Sequence, residues 1–186
     1  MARFPLFLLA ALLVTIIFGT QYWLSGQMYR QSADDPQVQI AYDIKAALEN
    51  GAPPATLLPS FPSDLEKSLS PFAIIFDDSS NVVVSSATLN GDVPKPPQEI
   101  FDGARTLTEH RATWQPRPDI RVAVVMLRVS AGGKNPVAGF VAVGRSLREA
   151  ERREADAALQ VTFAWATVLL ILIVYAAFSG FWERRK

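Results

Sequence analysis

The chain has 186 residues, 49% of them hydrophobic, with 18 Lys and Arg balanced by 18 Asp and Glu, one histidine and no cysteine. The missing cysteines exclude disulfides and thiolate metal sites, and the balanced charge excludes the basic surface of a nucleic-acid binder. A mean hydropathy of +0.16 allows one ordinary domain, or one small domain with membrane segments.

The first predicted element decides for the second. "FPLFLLAALLVTIIFGTQYWL", Phe4 to Leu24, carries no charge and matches the roughly 20 residues a bilayer-spanning helix needs. Tyr22 and Trp23 stand at its end, where amphipathic rings favour the headgroup region. Arg3 before an apolar core also fits a secretory signal, but the run is long and "TQYWLSGQ" offers no small-x-small cleavage pattern. A retained transmembrane helix over 6–24 is expected, with 1–5 cytoplasmic.

"SADDPQVQIAYDIKAALENG" follows, with Asp34 and Asp35 as candidate caps, Pro36 in the first turn and Gly51 at the stop. Ile40, Ile44, Ala47 and Leu48 recur at helical spacing, which predicts an amphipathic helix from Pro36 to Asn50. "APPATLLPSFPS", with four prolines and no period, reads as an irregular connection lying over the domain. "SDLEKSL" offers a Ser63–Glu66 capping box and two helical turns. "FAIIFD" and "NVVVSS" read as strands joined by "DSS", and "PPQEIFDGAR" as a short helix. "RATWQP", "IRVAVVMLRVS" and "VAGFVAVGRS" read as three more strands, the last two joined by the turn "AGGKNP". In "VAVVMLRV" both alternating sets are apolar, so that strand is covered on both faces. The long helix is the expected cover on one side, the proline-rich loop with the short helices on the other.

Ser146 to Glu149 forms a second capping box, so a helix starts where the last strand ends. "VTFAWATVLLILIVYAAFSGFW", Val161 to Trp182, is again uncharged, and no breaker separates it from the box before Gly180. A coupling helix over 146–160 is therefore expected to run without interruption into a second transmembrane helix over 161–181, leaving 182–186 cytoplasmic. Ser146, Leu147, Glu149, Ala150 and Ala157 are its coupling residues. Leu147, Ala150, Ala157, Val161 and Ala164 form a seam, interrupted by Glu154, that suits packing on the first span or on a second copy. Ala176 and Gly180 form a small-x-x-x-small packing pair. Arg3 at one end and Arg184, Arg185 and Lys186 at the other place both termini in the cytoplasm by the basic-flank rule. The segment between the spans, 14 Lys and Arg against 17 Asp and Glu for a net charge of −3, is then extracytoplasmic.

The expected fold class is α+β: a five-stranded antiparallel sheet with a long N-terminal helix over 25–145, flanked by two transmembrane helices. "ADDPQVQIA", "SLSPFAIIFD", "TWQPRPDIRVAVV" and "GFVAVGRSLREAE" together resemble the extracytoplasmic sensor region, PAS- or Cache-like, of bacterial two-component sensor histidine kinases. The resemblance covers roughly Ala33 to Glu151 and implies a sensory or ligand-binding domain between two spans. After Trp182 only "ERRK" follows, so kinase activity does not carry over, and action through a membrane partner (a kinase, a transporter or an envelope complex) or as a homodimer is expected. The competing reading is a structural accessory subunit of an envelope or transport complex.

No catalytic motif or cofactor signature is present: neither Gly-x-Ser-x-Gly nor His-Glu-x-x-His occurs, and His110 in "TEHRATW" reads as an exposed loop histidine. An enzyme is not expected. Asp77 and Asp78 fit turn chemistry better than a cation site. The candidate ligand-binding residues are Arg111, Trp114, Gln115 and Arg121, whose guanidinium, indole and amide groups suit a small anionic or amphipathic ligand. The competing reading makes Trp114 core and the arginines solvated.

Overall fold

A computed structural model describes residues 3–32, 35–58, 62–131 and 138–183. The chain divides into two compact units, Met1–Arg30 with Ala150–Lys186, and Gln31–Glu149.

The first unit is a pair of helices, α1 (Arg3–Ser32) and the later α4 (Arg148–Glu183). Both are long and apolar enough to cross a membrane, with candidate spans Leu6–Leu24 and Arg148–Phe178. They run antiparallel. The Phe7 ring meets Tyr175 at 5.9 Å between centroids, and the Trp165 Nε1 donates to Thr15 Oγ1 at 3.1 Å. The Thr15 hydroxyl in turn donates to the Ala11 carbonyl at 2.8 Å, so both polar groups are satisfied within an apolar pair, where such a bond is worth about 0.6–2 kcal/mol. Phe7, Ala10, Ala11, Val14 and Phe18 are the less exposed positions of α1, and Val161, Trp165, Val168, Leu169, Leu172 and Ala176 those of α4 from Val161 onward. Each set keeps the three-four spacing of a packed helix face. α1 extends beyond the expected span at both ends.

The second unit is α+β. Its elements are α2 (Asp35–Glu49), β1 (Ser63–Asp64), β2 (Phe72–Asp77), β3 (Val82–Ser85), β4 (Ala87–Thr88), α3 (Gln98–Thr106), β5 (Glu109–Arg117), β6 (Ile120–Val129) and β7 (Gly139–Ser146). The five longer strands form one sheet in the order β3-β2-β7-β6-β5, with every pair antiparallel. α2 stops at the expected glycine: Gly51 takes φ 88°, its amide donates to Leu48 O, and the Ala52 amide reaches back to Ala47 O. Those two bonds satisfy carbonyls that the helix end leaves open. Asp34, one of the two expected caps, lies outside the described residues, as does most of "AGGKNP".

The sheet is buried on both faces, as the doubly apolar pattern of β6 requires. Ala41, Ile44 and Leu48 of α2 pack on Ala73, Ile75, Val125, Leu127, Val141 and Val143. The alternate residues Phe72, Ile74, Phe76, Val122, Val124 and Met126 face α3, through Ile100, Phe101 and Ala104. Burying each large side chain contributes about 1.5–3 kcal/mol. On the α3 side Phe101 stands edge-on to both Phe76 and Phe140, at 5.0 and 5.5 Å, and the Arg105 guanidinium lies 5.1 Å from the Phe140 ring centre.

Two expectations are corrected here. Among its described residues the proline-rich connection does not cover the face opposite α2: Leu57 and Leu58 join the α2 side, and α3 with Leu65 and Ala87 covers the other. "SDLEKSL" is not a helix. Ser63 and Asp64 pair in parallel with Ala87 and Thr88, and the Asp64 side chain accepts the Glu66 amide at 2.9 Å. This turn chemistry competes with a helical N-terminus for the same donor.

Candidate functional site at the strand-to-helix junction

The last strand passes into α4 within two residues. Ser146 still pairs with Val122, and the Leu147 amide still donates to the Arg121 carbonyl at 2.9 Å. Arg148 is already helical. The expected capping box takes a different form on the serine side: the Ser146 hydroxyl accepts the Arg148 amide, two residues on, at 3.3 Å, rather than the Glu149 amide. Leu147, Glu149, Ala150 and Ala157 are all half-buried. Ala164 is exposed and Trp165 takes its place on the packed stripe, while Glu154, read as an interruption, lies on it. Ala176 also lies on that stripe, and Gly180 lies beyond the residues whose side chains are described.

Arg148 is fixed from the side by a polar network. Its Nη2 donates to the Glu66 carbonyl at 2.5 Å. The turn carrying Glu66 is itself held, by Leu65 buried in the α3-side core and by the Leu65 amide on Thr88 O at 2.9 Å. The Glu66 carboxylate lies 3.7 Å from Arg117, which also approaches Asp119 at 3.9 Å and donates to Asn90 Oδ1 at 3.4 Å. The β1 turn is thus the link: the Glu66 carbonyl takes Arg148, and the Glu66 carboxylate faces Arg117 of the β5–β6 hairpin, which reaches Asn90 in the turn after β4. A hydrogen bond to a charged donor contributes about 1.5–3 kcal/mol when shielded, and less here because Arg117 and Glu66 are more than a third exposed.

The four nominated ligand residues do not share one face. Trp114 is buried in the α3-side core opposite Val122. Arg111 pairs with Val125, which belongs to the α2 side, and its Nε donates to Glu109. Gln115 folds onto its own hairpin, donating to Pro118 O at 2.5 Å. Arg121 is exposed at the start of β6. Glu109 also accepts the Tyr42 hydroxyl at 3.0 Å, which ties α2 to the sheet edge. The Arg111 bond, with a further contribution from Tyr42, holds the Glu109 carboxyl below its usual range against the opposing effect of burial. The Tyr42 phenol is pushed up, chiefly because it donates to that carboxylate. His110 lies on strand β5, not on a loop, and its ring lies against Gly103 of α3, where an added Cβ would come within 2.6 Å of it.

No family model matches the chain, and no curated protein matches it significantly. Among the described residues, no group of three His, Cys, Asp or Glu is placed to hold a metal ion. Sequence reasoning missed Glu66, Arg117 and Arg148. They contact backbone carbonyls and one another across up to 82 residues of chain, and no periodicity signals such an encounter.

Proposed function

We propose that the chain is a two-span protein of the cytoplasmic membrane, with both termini cytoplasmic and an extracytoplasmic PAS- or Cache-like domain. This domain senses or binds a ligand and passes its state to a membrane partner along α4. The observation that carries the reading is the junction: Leu147 is bonded into the sheet, Arg148 is helical, and α4 has neither Pro nor Gly before Gly180. A flexible linker would absorb a displacement of the last strand, whereas an unbroken helix conveys it. The five-stranded antiparallel sheet with a long helix on one face supports the sensory architecture, as analogy of fold. The antiparallel helix pair supports a common side for both termini.

A structural accessory subunit of an envelope or transport complex is the competing reading. Purification in mild detergent of the parent chain and of Ala155→Pro, with co-purifying proteins identified, separates the two. A sensor retains its partner in both forms and loses control of the partner's output only in the proline variant. A structural subunit forms a complex whose activity is indifferent to the substitution, and that outcome contradicts the sensory reading.

A further inference from the structure

Two Asn-Gly pairs lie in the sheet unit, Asn50–Gly51 and Asn90–Gly91. Such a pair is chemically labile because the glycine amide nitrogen, unhindered by a side chain, can attack the asparagine carboxamide carbon. The fold treats the two pairs differently. At the end of α2 the Gly51 amide donates to Leu48 O at 2.9 Å, and Asn50 Nδ2 donates to Ala46 O at 2.9 Å. Nucleophile and leaving group are both engaged there.

Asn90 and Gly91 form the exposed tip of the turn after β4, with φ 55° and 89°. Leu89 and Asp92 exchange amide bonds of 2.8 and 3.1 Å across the turn, and among the described residues no backbone acceptor takes the Gly91 amide. A Cβ built on Gly91 would meet nothing within 4 Å, so no neighbouring segment crowds the glycine. The Asn90 Oδ1 accepts from Arg117 Nη1 at 3.4 Å. That oxygen is where negative charge develops when the carboxamide is attacked, and a cationic donor aimed at it lowers the barrier.

We propose that Asn90 is a site of spontaneous cyclisation and deamidation, activated by Arg117 and favoured over Asn50. The Gly91 nitrogen gives its proton to solvent base and bonds to Asn90 Cγ. The Cγ–Nδ2 bond breaks, ammonia departs with a solvent proton, and a succinimide ring remains. Water then opens either ring carbonyl, leaving an aspartyl or an isoaspartyl residue. No oxidant or cofactor enters the balance. The new carboxylate faces Arg117, which Glu66 and Asp119 already approach. The change therefore places a further charge beside Arg117 and Glu66, the residue whose carbonyl takes Arg148.

The test follows both sites by peptide mass spectrometry, in the full-length chain in detergent at mildly alkaline pH and in denaturant. In the folded chain Asn90 converts about tenfold faster than Asn50, a barrier difference of about 1.4 kcal/mol, and in denaturant the ratio falls toward unity. Hydroxylamine cleaves the folded chain after Asn90 and not after Asn50. Arg117→Gln slows conversion at Asn90 in the folded chain alone, and an unchanged rate at Asn50 shows that the variant is still folded. Equal folded-state rates at the two sites, or a rate at Asn90 that Arg117→Gln leaves unaltered, overturn the proposal.

Discussion

Glu109 is held by a donor on each side, Arg111 on its own strand and Tyr42 on α2. Because its carboxyl is held below the usual range, folding favours the charged form. The resulting stability is present above the unfolded value of about 4.3 and disappears as pH falls through the lower folded value. Glu109→Gln is therefore expected to destabilise the sheet unit at neutral pH, with the difference from the parent shrinking in acid. Denaturant titration of both forms across that range checks it, and a difference independent of pH contradicts it. Gly139 and Gly144, both in β7, are ordered by what a side chain would strike. An added Cβ at Gly139 collides with the Phe76 carbonyl, and at Gly144 with the Phe72 ring. Backbone in a sheet cannot step aside as a ring can. Gly139→Ala is expected to cost about 1–3 kcal/mol and Gly144→Ala less, read from the same titration.

α4 is the element through which a change in the sheet would reach the membrane. Ala155 is exposed, so Ala155→Pro acts on the backbone alone, removing a helical hydrogen bond at about 3 kcal/mol, with Ala155→Gly costing about 1 kcal/mol. Hydrogen exchange should quicken around residues 151–159 in the proline variant and stay unchanged in β2, β6 and β7. The helices and long strands were legible because burial imposes periods: the doubly apolar β6 required cover on both faces, and α2 showed its stripe and its glycine stop. The parallel pair of β1 and β4 was not, because it is made by backbone bonds between segments more than twenty residues apart. The face covered by the proline-rich loop was hidden for a related reason, since a segment without a period has no preferred side. The nominated ligand residues illustrate a third limit. Arg111 and Trp114 are near neighbours in sequence, yet the alternation of a strand sends them to opposite faces.

For the whole molecule, the antiparallel pairing of α1 and α4 brings the start of α1 and the end of α4 to the same end of one helical unit. With basic residues flanking both, a reporter active only outside the cytoplasm is expected to be silent when fused after Lys186 and active when inserted within "GAPPATLLP". Activity at both positions contradicts the two-span topology. The sensory reading requires α4 to be one unbroken helix from the end of the last strand into the second candidate span. Since the chain has no native cysteine, spin labels can be attached at Arg152→Cys and Phe163→Cys, both exposed on α4 on either side of Ala155, without competing sites. The distance distribution between them in the membrane-reconstituted protein is the most direct test. One narrow peak that broadens in Ala155→Pro is expected; a broad distribution in the otherwise unmodified chain would rule out an unbroken helix.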